Sequence, residues 1–273
     1  MMSILSIALL ATSISLCLRV LRRARGVAEA LPCISGICHN FSYAEHMEMR
    51  PVARFRIISL FEELTDAELA QVAERCIVRR YERHSQILGE QDRTDDVFFI
   101  LEGEARANSM TPSGREVIFS ELAAGDMFGE FSAIDGLPRS TAVVALADCL
   151  LARMSAANFF ELLRQNGAVS ARLVELLVAK IRRMSERVFE VSALAVRERV
   201  RRELLRLAEG GERFGRSVVI RPAPTHYEIA ARIGSHREAV TREFNRLEEA
   251  HILEVRRRQI RIVDLDRLGG LGE

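Results

Sequence analysis

The spacing of apolar and polar residues divides the chain into blocks, each with its own period. In TDAELAQVAERC, Leu69, Val72 and Ala73 share one helical face, and Thr65 with Glu68 has the capping-box spacing that starts a helix. The runs RRYERHSQIL, VFFILEG, EARANSM, EVIFSEL and LLARM are strand-like, punctuated by Gly89, Gly103, Gly114, Gly125, Gly129 and Gly136. Many short strands with glycine turns at this spacing predict a small antiparallel barrel or jelly roll. From Ser155 the pattern turns helical, with a break at Gly167 and an end at Gly210 and Gly211.

Within the helical stretch Leu177, Ile181, Met184, Val188, Val191 and Ala195 step by 4, 3, 4, 3 and 4, the a/d rhythm of a two-stranded coiled coil. Two readings fit: a dimer seam, or an amphipathic helix lying on its own barrel. The polar remainder, Arg182, Arg183, Glu186, Arg187 and Glu190, leaves only a narrow stripe to bury, which favours the seam.

The block PAPTHYEIAARIGSHREAVTREFNRLEEAHIL holds two helix starts of one kind, Thr225 with Glu228 and Ser235 with Glu238, separated by Gly234. The arrangement predicts a helix-turn-helix whose second helix, from about His236 to Ala250, enters the major groove of DNA. Val240, Phe244 and Leu247 lie at i, i+4 and i+7 and are expected in the core. Arg237, Glu238, Thr241 and Arg242 fall at the N-terminal end, where side chains reach base edges. Arginine suits the paired acceptors of guanine, and glutamate accepts from the cytosine amino group. Glu238 also fits the third position of a capping box, so both of its readings stand. His226 and His236, near helix starts, are candidates for phosphate contacts or plain solvated caps. ILEVRRRQIRIVDL reads as a hairpin with Arg256, Arg257 and Arg258 at its tip, a wing suited to DNA phosphates. Arg257 stands where a glycine would ease the turn.

Composition narrows the class. A chain of 273 residues with 48% hydrophobic and 28% charged residues is globular and long enough for two modest domains. Net charge is only +1, so any DNA binding has to come from local charge, such as the nine arginines against six glutamates between residues 221 and 261. Lys180 is the only lysine, a bias attributed here to codon usage. The five cysteines, Cys17, Cys33, Cys38, Cys76 and Cys149, are odd in number and scattered, which points to a reducing compartment. His84, His226, His236 and His251 lack a companion carboxylate and nucleophile, so an enzyme is not expected.

The first fifty residues differ from the rest. MMSILSIALLATSISLCLRV is nearly uncharged and is followed by LRRAR, yet Ile4 to Val20 is 17 residues, the short limit for crossing a bilayer. An anchor with its arginines on the cytoplasmic side, an uncleaved extension, and a start placed too far upstream are the alternatives, with the last two favoured. Met47 and Met49 precede MRPVARFRIISLFEELTDAEL, a natural beginning, so removal of residues 1 to 46 is expected to be tolerated.

The segment FGEFSAIDGLPRSTA places Glu130 and Arg139 nine residues apart with only Asp135 as a further charge. In a glycine-rich loop Arg139 suits a phosphate, while Glu130 would repel that phosphate and suits a hydroxyl donor such as that of a ribose. The two together point to a nucleotide, and to a 3′,5′-cyclic one if the other sugar hydroxyls are tied up in the phosphate. An ion pair between Glu130 and Arg139 across a turn is the plain alternative.

FGEFSAIDGLPRSTA resembles the phosphate-binding cassette of cyclic-nucleotide-binding domains, and VFFILEGEARANSMTPSGREVIFSELAAGDMFGE is similar to that family's strand and glycine layout. With the C-terminal block, residues from about 55 to 265 resemble the CRP/FNR family of bacterial transcription regulators. The resemblance implies that Glu130 holds the ribose 2′-hydroxyl and Arg139 the cyclic phosphate. The Gly129 and Ser140 amides and the Ser140 hydroxyl complete the cradle. Where cyclic-AMP-responding members place two neighbouring hydroxyl residues against the purine, this chain has Met184 and Ser185, so only the second keeps its hydroxyl. The loss of one hydroxyl weakens any adenine preference, so the order of expectation is cyclic AMP, then cyclic GMP, then another nucleotide or none, with no metal. Arg237, Glu238 and Arg242 match the family's main base-reading positions and imply a half-site similar to GTGA, flanked by Ser235, His236, Thr241 and Arg257.

The implied architecture is α+β: an N-terminal antiparallel β jelly-roll domain, a long dimerisation helix and a C-terminal winged helix-turn-helix domain. The corresponding ranges are 1–50 for the extension, 51–168 for the barrel, 169–195 for the helix and 196–273 for the DNA-binding domain. Implied partners are double-stranded operator DNA, a second copy of the chain and RNA polymerase, in the cytoplasm and away from membranes. An iron-sulfur sensor of the same family, built on Cys33 and Cys38 with His39 nearby, is the alternative; two clustered cysteines fall short of the usual four ligands.

Overall fold

The run VFFIL shows how the N-terminal half is layered. In the computed structural model, which describes residues 52–270, it lies in a strand, β3 (Val97–Glu102), whose five apolar residues are all buried. A run this continuous needs cover on both faces, since successive side chains point opposite ways. Phe98 and Ile100 enter one core, Val97, Phe99 and Leu101 another.

The eight strands of this half are β1 (Ile77–Tyr81), β2 (Gln86–Leu88), β3, β4 (Glu104–Met110), β5 (Glu116–Ala123), β6 (Met127–Phe128), β7 (Ala142–Ala145) and β8 (Cys149–Met154). They form two antiparallel four-stranded sheets, ordered β1-β8-β3-β6 and β2-β7-β4-β5. One core lies between the sheets and joins Leu88, Ala105, Leu122, Val143 and Ala145 to Phe98, Ile100, Phe128 and Leu151. The sandwich is the expected jelly roll. The predicted run RRYERHSQIL is two strands, because residues 82–85 turn between them, and AVVA forms an additional strand that alternates in burial but, being all apolar, not in polarity.

A second core covers the outer face of β3 and β8. It is built by Phe55, Ile58, Leu60 and Phe61 from two 3-10 turns, by α1 (Asp66–Glu74), and by α3 (Ala156–Gln165). Phe61 packs on Phe99 with ring centroids 4.9 Å apart. Thr65 and Glu68 make the reciprocal capping box that the sequence predicts for α1. Between β6 and β7 lies the six-residue α2 (Glu130–Asp135).

The long helix α4 (Gly167–Ala193) starts where Gly167 breaks the pattern, with the Asn166 side chain accepting from the Val169 amide. It stops earlier than the a/d stepping implies. Leu194 and Ala195 are extended, with φ/ψ of −104°/141° and −62°/155°, and Ala195 caps the next helix rather than continuing the seam.

The C-terminal half comprises α5 (Val196–Glu209), β9 (Glu212–Phe214), β10 (Ser217–Ile220), α6 (His226–Arg232), α7 (Arg237–Glu249), β11 (Leu253–Arg256), β12 (Gln259–Ile262) and α8 (Leu265–Gly270). Val240, Phe244 and Leu247 are core, together with Val200, Leu204, Ile229 and Ile260. Strands β11, β12, β10 and β9 pair in that order, so the predicted hairpin is a wing extended by a further hairpin.

Two details of this half differ from expectation. Ser235 and Glu238 do not form a capping box: α7 begins at Arg237 with His236 as its cap and no side-chain cap bond. The turn takes Ser235 instead, because Gly234 at φ 62° reverses the chain and the Ser235 amide donates to the Ala230 carbonyl. In the wing, the left-handed residue is Arg258, at φ 57°, not Arg257. The Ala223 amide bonds the Arg258 carbonyl at 3.0 Å, which helps hold this uncommon backbone conformation.

Candidate functional site

Glu130 and Arg139 do not bond each other; each has its own partner. Arg139 is 2% exposed and its guanidinium is held from three sides. Nε donates to Thr94 Oγ1 at 2.9 Å, Nη1 to the Gly129 carbonyl at 2.8 Å, and Nη2 to the Asp96 carbonyl at 2.8 Å. An arginine carries five N–H groups, so one remains on each terminal nitrogen. Burial pulls this guanidinium below the ordinary arginine range, and the charges of Asp96, Asp95, Asp92 and Glu130 oppose the shift. Gly129 adopts φ 84°, and a Cβ there would lie 2.8 Å from Arg139 Nη1, so only glycine lets the backbone close on the guanidinium.

Glu130 opens α2 and is buried, with Oε1 2.8 Å from Nζ of Lys180 on α4. The ammonium also sits 4.5 Å from the centroid of the Phe131 ring. The lone lysine thus ties the cassette to the long helix. Its position, four residues before Met184, is the one signal in the sequence that could have marked it. Ser140 is exposed beside Arg139, and Ser185 is exposed with its hydroxyl donating to the Ile181 carbonyl at 3.0 Å.

The stripe on α4 divides. Val169 and Leu173 are buried, and Leu176 and Leu177 pack against the barrel-side core. Val174, Val178, Ile181, Met184, Val188 and Val191 are exposed, Ile181 and Val188 by 63% and 66%.

Beyond the stripe, buried charge joins the end of α4 to the C-terminal half. Glu190 receives Arg206 of α5 at 2.7 Å and lies near Arg187 and Arg202. Burial would raise the pKa of this carboxyl, but the Arg206 bond and the three arginine charges outweigh it and hold it below the ordinary carboxylate range. Glu203 of α5 meets Arg187, Arg206 and Arg232 of α6. Arg232 also pairs with Glu121 of β5, and Arg106 of β4 bonds both Glu121 and Glu228 of α6 at 2.9 Å. Glu228 serves twice: Oε2 receives the Thr225 amide to start α6, and Oε1 receives Arg106 from the barrel. Arg199 on α5 donates to the Ile233 carbonyl inside the helix-turn-helix turn at 2.6 Å. Apart from the Thr225–Glu228 capping box and the i,i+3 pairs Arg187–Glu190 and Arg206–Glu203, none of these links is visible as a local motif.

At the start of α7, His236, Arg237, Glu238 and Arg242 are exposed, and Arg237, Glu238 and Arg242 join no ion pair among the described residues. Thr241 is half-buried, Ser235 is buried in the turn, and Arg257 is exposed at the wing tip. Cys33, Cys38, His39 and the start-site and anchor readings lie outside the described residues. Among the described residues no helix is long and apolar enough to cross a membrane.

A jelly roll with a phosphate-type cassette, a long helix and a winged helix-turn-helix define a sensor domain joined to a DNA reader. Residues 78–166 match the cyclic nucleotide-binding domain and residues 198–271 the Crp-like helix-turn-helix domain. The cAMP-activated global transcriptional regulator Vfr of Pseudomonas aeruginosa is 30% identical over 192 residues, covering 69% of this chain and 90% of Vfr. The cAMP-activated global transcriptional regulator CRP of Haemophilus influenzae is 26% identical over 200 residues, covering 72% and 89%. A solved CooA mutant from Carboxydothermus hydrogenoformans shares the fold at a TM-score of 0.68 and 19% identity, covering 80% of this chain and 95% of that one. The c-di-GMP responsive regulator CLP of Xanthomonas campestris does so at 0.65 and 17%, covering 72% and 99%. The chain belongs to the CRP/FNR family, as a DNA-binding transcription regulator with a cyclic nucleotide-binding domain. That family is one of regulators, not enzymes.

Proposed function

We propose that this regulator is a homodimer switched by a cyclic nucleotide, cyclic AMP first and cyclic GMP second, held at Gly129, Glu130, Arg139 and Ser140. One observation carries the reading: Glu130 and Arg139, nine residues apart in one segment, are both buried yet unpaired with each other, and Arg139 keeps one N–H on each terminal nitrogen. Those two N–H groups are the donors left for a cyclic phosphate. A carboxylate has two acceptor oxygens, so Lys180 on Oε1 leaves Glu130 capacity for a ribose hydroxyl.

A nucleotide touching Glu130 acts on α4 through Lys180. From there α4 passes any shift to α5 and α6 through Glu190, Arg206, Glu203 and Arg232. The exposed stripe from Ile181 to Val191 is the seam with a second copy, so a rotation of α4 changes the relation of two recognition helices. The ligand shifts this equilibrium only by its preference for the DNA-competent state. Arg237, Glu238 and Arg242 read bases in that state, Arg257 meets phosphate, and the regulator works with RNA polymerase in the cytoplasm.

The test is calorimetry with cyclic AMP and cyclic GMP alongside operator binding. Arg139→Ala is expected to weaken nucleotide binding roughly tenfold to a hundredfold, the worth of hydrogen bonds to a charged group. Unchanged affinity in a folded variant removes Arg139 from the site.

A further inference from the structure

The second helix of the DNA-reading module carries a side chain whose polar group is already used. Thr241 of α7 donates its hydroxyl to the Arg237 carbonyl at 3.0 Å. The same oxygen lies 2.9 Å from Nδ1 of His226, the first residue of α6. A threonine hydroxyl has one hydrogen. Both contacts are satisfied together only when that hydrogen points to Arg237 and His226 supplies its own from Nδ1.

The histidine is well placed to hold that tautomer. Its ring packs on Phe244, centroids 4.5 Å apart, and Phe244 is fixed in the core of the DNA-reading half. Burial and then the Arg237 charge hold the ring below the ordinary histidine range, against Glu248, which favours the neutral form, and the Thr241 bond to the Arg237 carbonyl is what assigns its one N–H to Nδ1. The hydroxyl of Thr241 is therefore engaged on both sides by the protein, within one turn of Arg237 and Arg242.

We propose that His226 is a positioning residue for base reading: by pinning the Thr241 hydroxyl it leaves that oxygen no hydrogen and a single lone pair, so that the threonine methyl becomes the reading group and Thr241 a reader of the thymine methyl. Serine or threonine with a free hydroxyl bonds to several base edges and discriminates little, whereas a methyl meets the C5-methyl of thymine. The clamp thus converts an ambiguous side chain into a specific one. The proposal rests on α7 being the base-reading helix, as inferred above.

The experiment uses the full chain and a duplex that it selects from a random pool. Each thymine of the selected duplex is replaced in turn by deoxyuridine, which removes only the methyl. In the unaltered protein one thymine per half-site is expected to lose about three- to fivefold in affinity on replacement, the worth of one buried methyl. Thr241→Ser and His226→Phe are expected to bring that ratio below about twofold, one by removing the methyl and the other by freeing the hydroxyl. His226→Asn, which keeps a donor near Nδ1, is expected to restore it. A flat deoxyuridine scan, with Arg237→Ala still relaxing base discrimination, overturns the clamp while sparing the DNA-reading assignment. Full retention of the ratio in His226→Phe does the same. Failure of the unaltered protein to select any sequence overturns both.

Discussion

A buried carboxylate with one cation partner is sensitive to the loss of that partner. Glu130 has a side chain 4% exposed, and Lys180 is its partner at 2.8 Å. Lys180→Gln is expected to lower stability by about 1–3 kcal/mol, the cost of leaving a buried acceptor poorly satisfied. The urea midpoint with an unchanged slope measures it. That this pair escapes a linear reading has a physical cause: its members are 50 residues apart, and neither belongs to a repeat. Arg139 escapes for another reason, since its acceptors are the Gly129 and Asp96 carbonyls and the Thr94 hydroxyl, and carbonyls leave no signature in side-chain identity. Glycine at 129 was legible, because a loop that brings backbone onto a guanidinium has no room for Cβ.

At the scale of the element, α4 realises on its first turns one of the two readings that its spacing permits, the helix lying on its own barrel, and leaves the later turns exposed. Its first turns bury Val169 and Leu173 on the chain's own barrel, and Leu177 joins them. From Ile181 onward the stripe is largely exposed among the described residues. Val188→Asp is expected to leave the barrel folded and to turn a dimer into a monomer, because a charge at a seam position meets its own copy across the two-fold axis. Sedimentation velocity reads the change; a dimer of unaltered affinity rules out a seam at Val188. Periodicity defined which residues share a face, and only the neighbouring elements decide what that face meets. The same limit explains Ser235. Capping spacing was present, but the tight turn at Gly234 drew the residue away from the helix start.

Across the whole molecule, the jelly roll, the long helix and the reading module were legible in order because strand, heptad and turn signals are local. The contact between barrel and reading module was not, since it consists of four charged residues on three separate elements, β4, β5 and α6. Glu228→Gln isolates that contact, because glutamine still closes a capping box while losing its charge toward Arg106. Amide exchange is expected to quicken in β4, β5 and α6 while the core of each half stays protected. Acid should do the same. Burial acts to raise the Glu228 pKa, but the Thr225 amide and Arg106 outweigh it and hold it low. A depressed carboxylate contributes stability that is fully present above its unfolded value of about 4.3 and is lost as pH falls through its folded value. In Glu228→Gln the part of the acid sensitivity due to residue 228 should vanish, as a pH series of thermal midpoints would show.

Among 39 basic side chains the single amine lies at the cassette and the other 38 are guanidinium groups. Mild acylating reagents, which attack amines and spare guanidinium, will therefore modify one side chain in the whole protein. That one adduct would cancel the positive partner of Glu130, so a mass increment at residue 180 becomes a direct gauge of how far the cassette and the long helix have come apart.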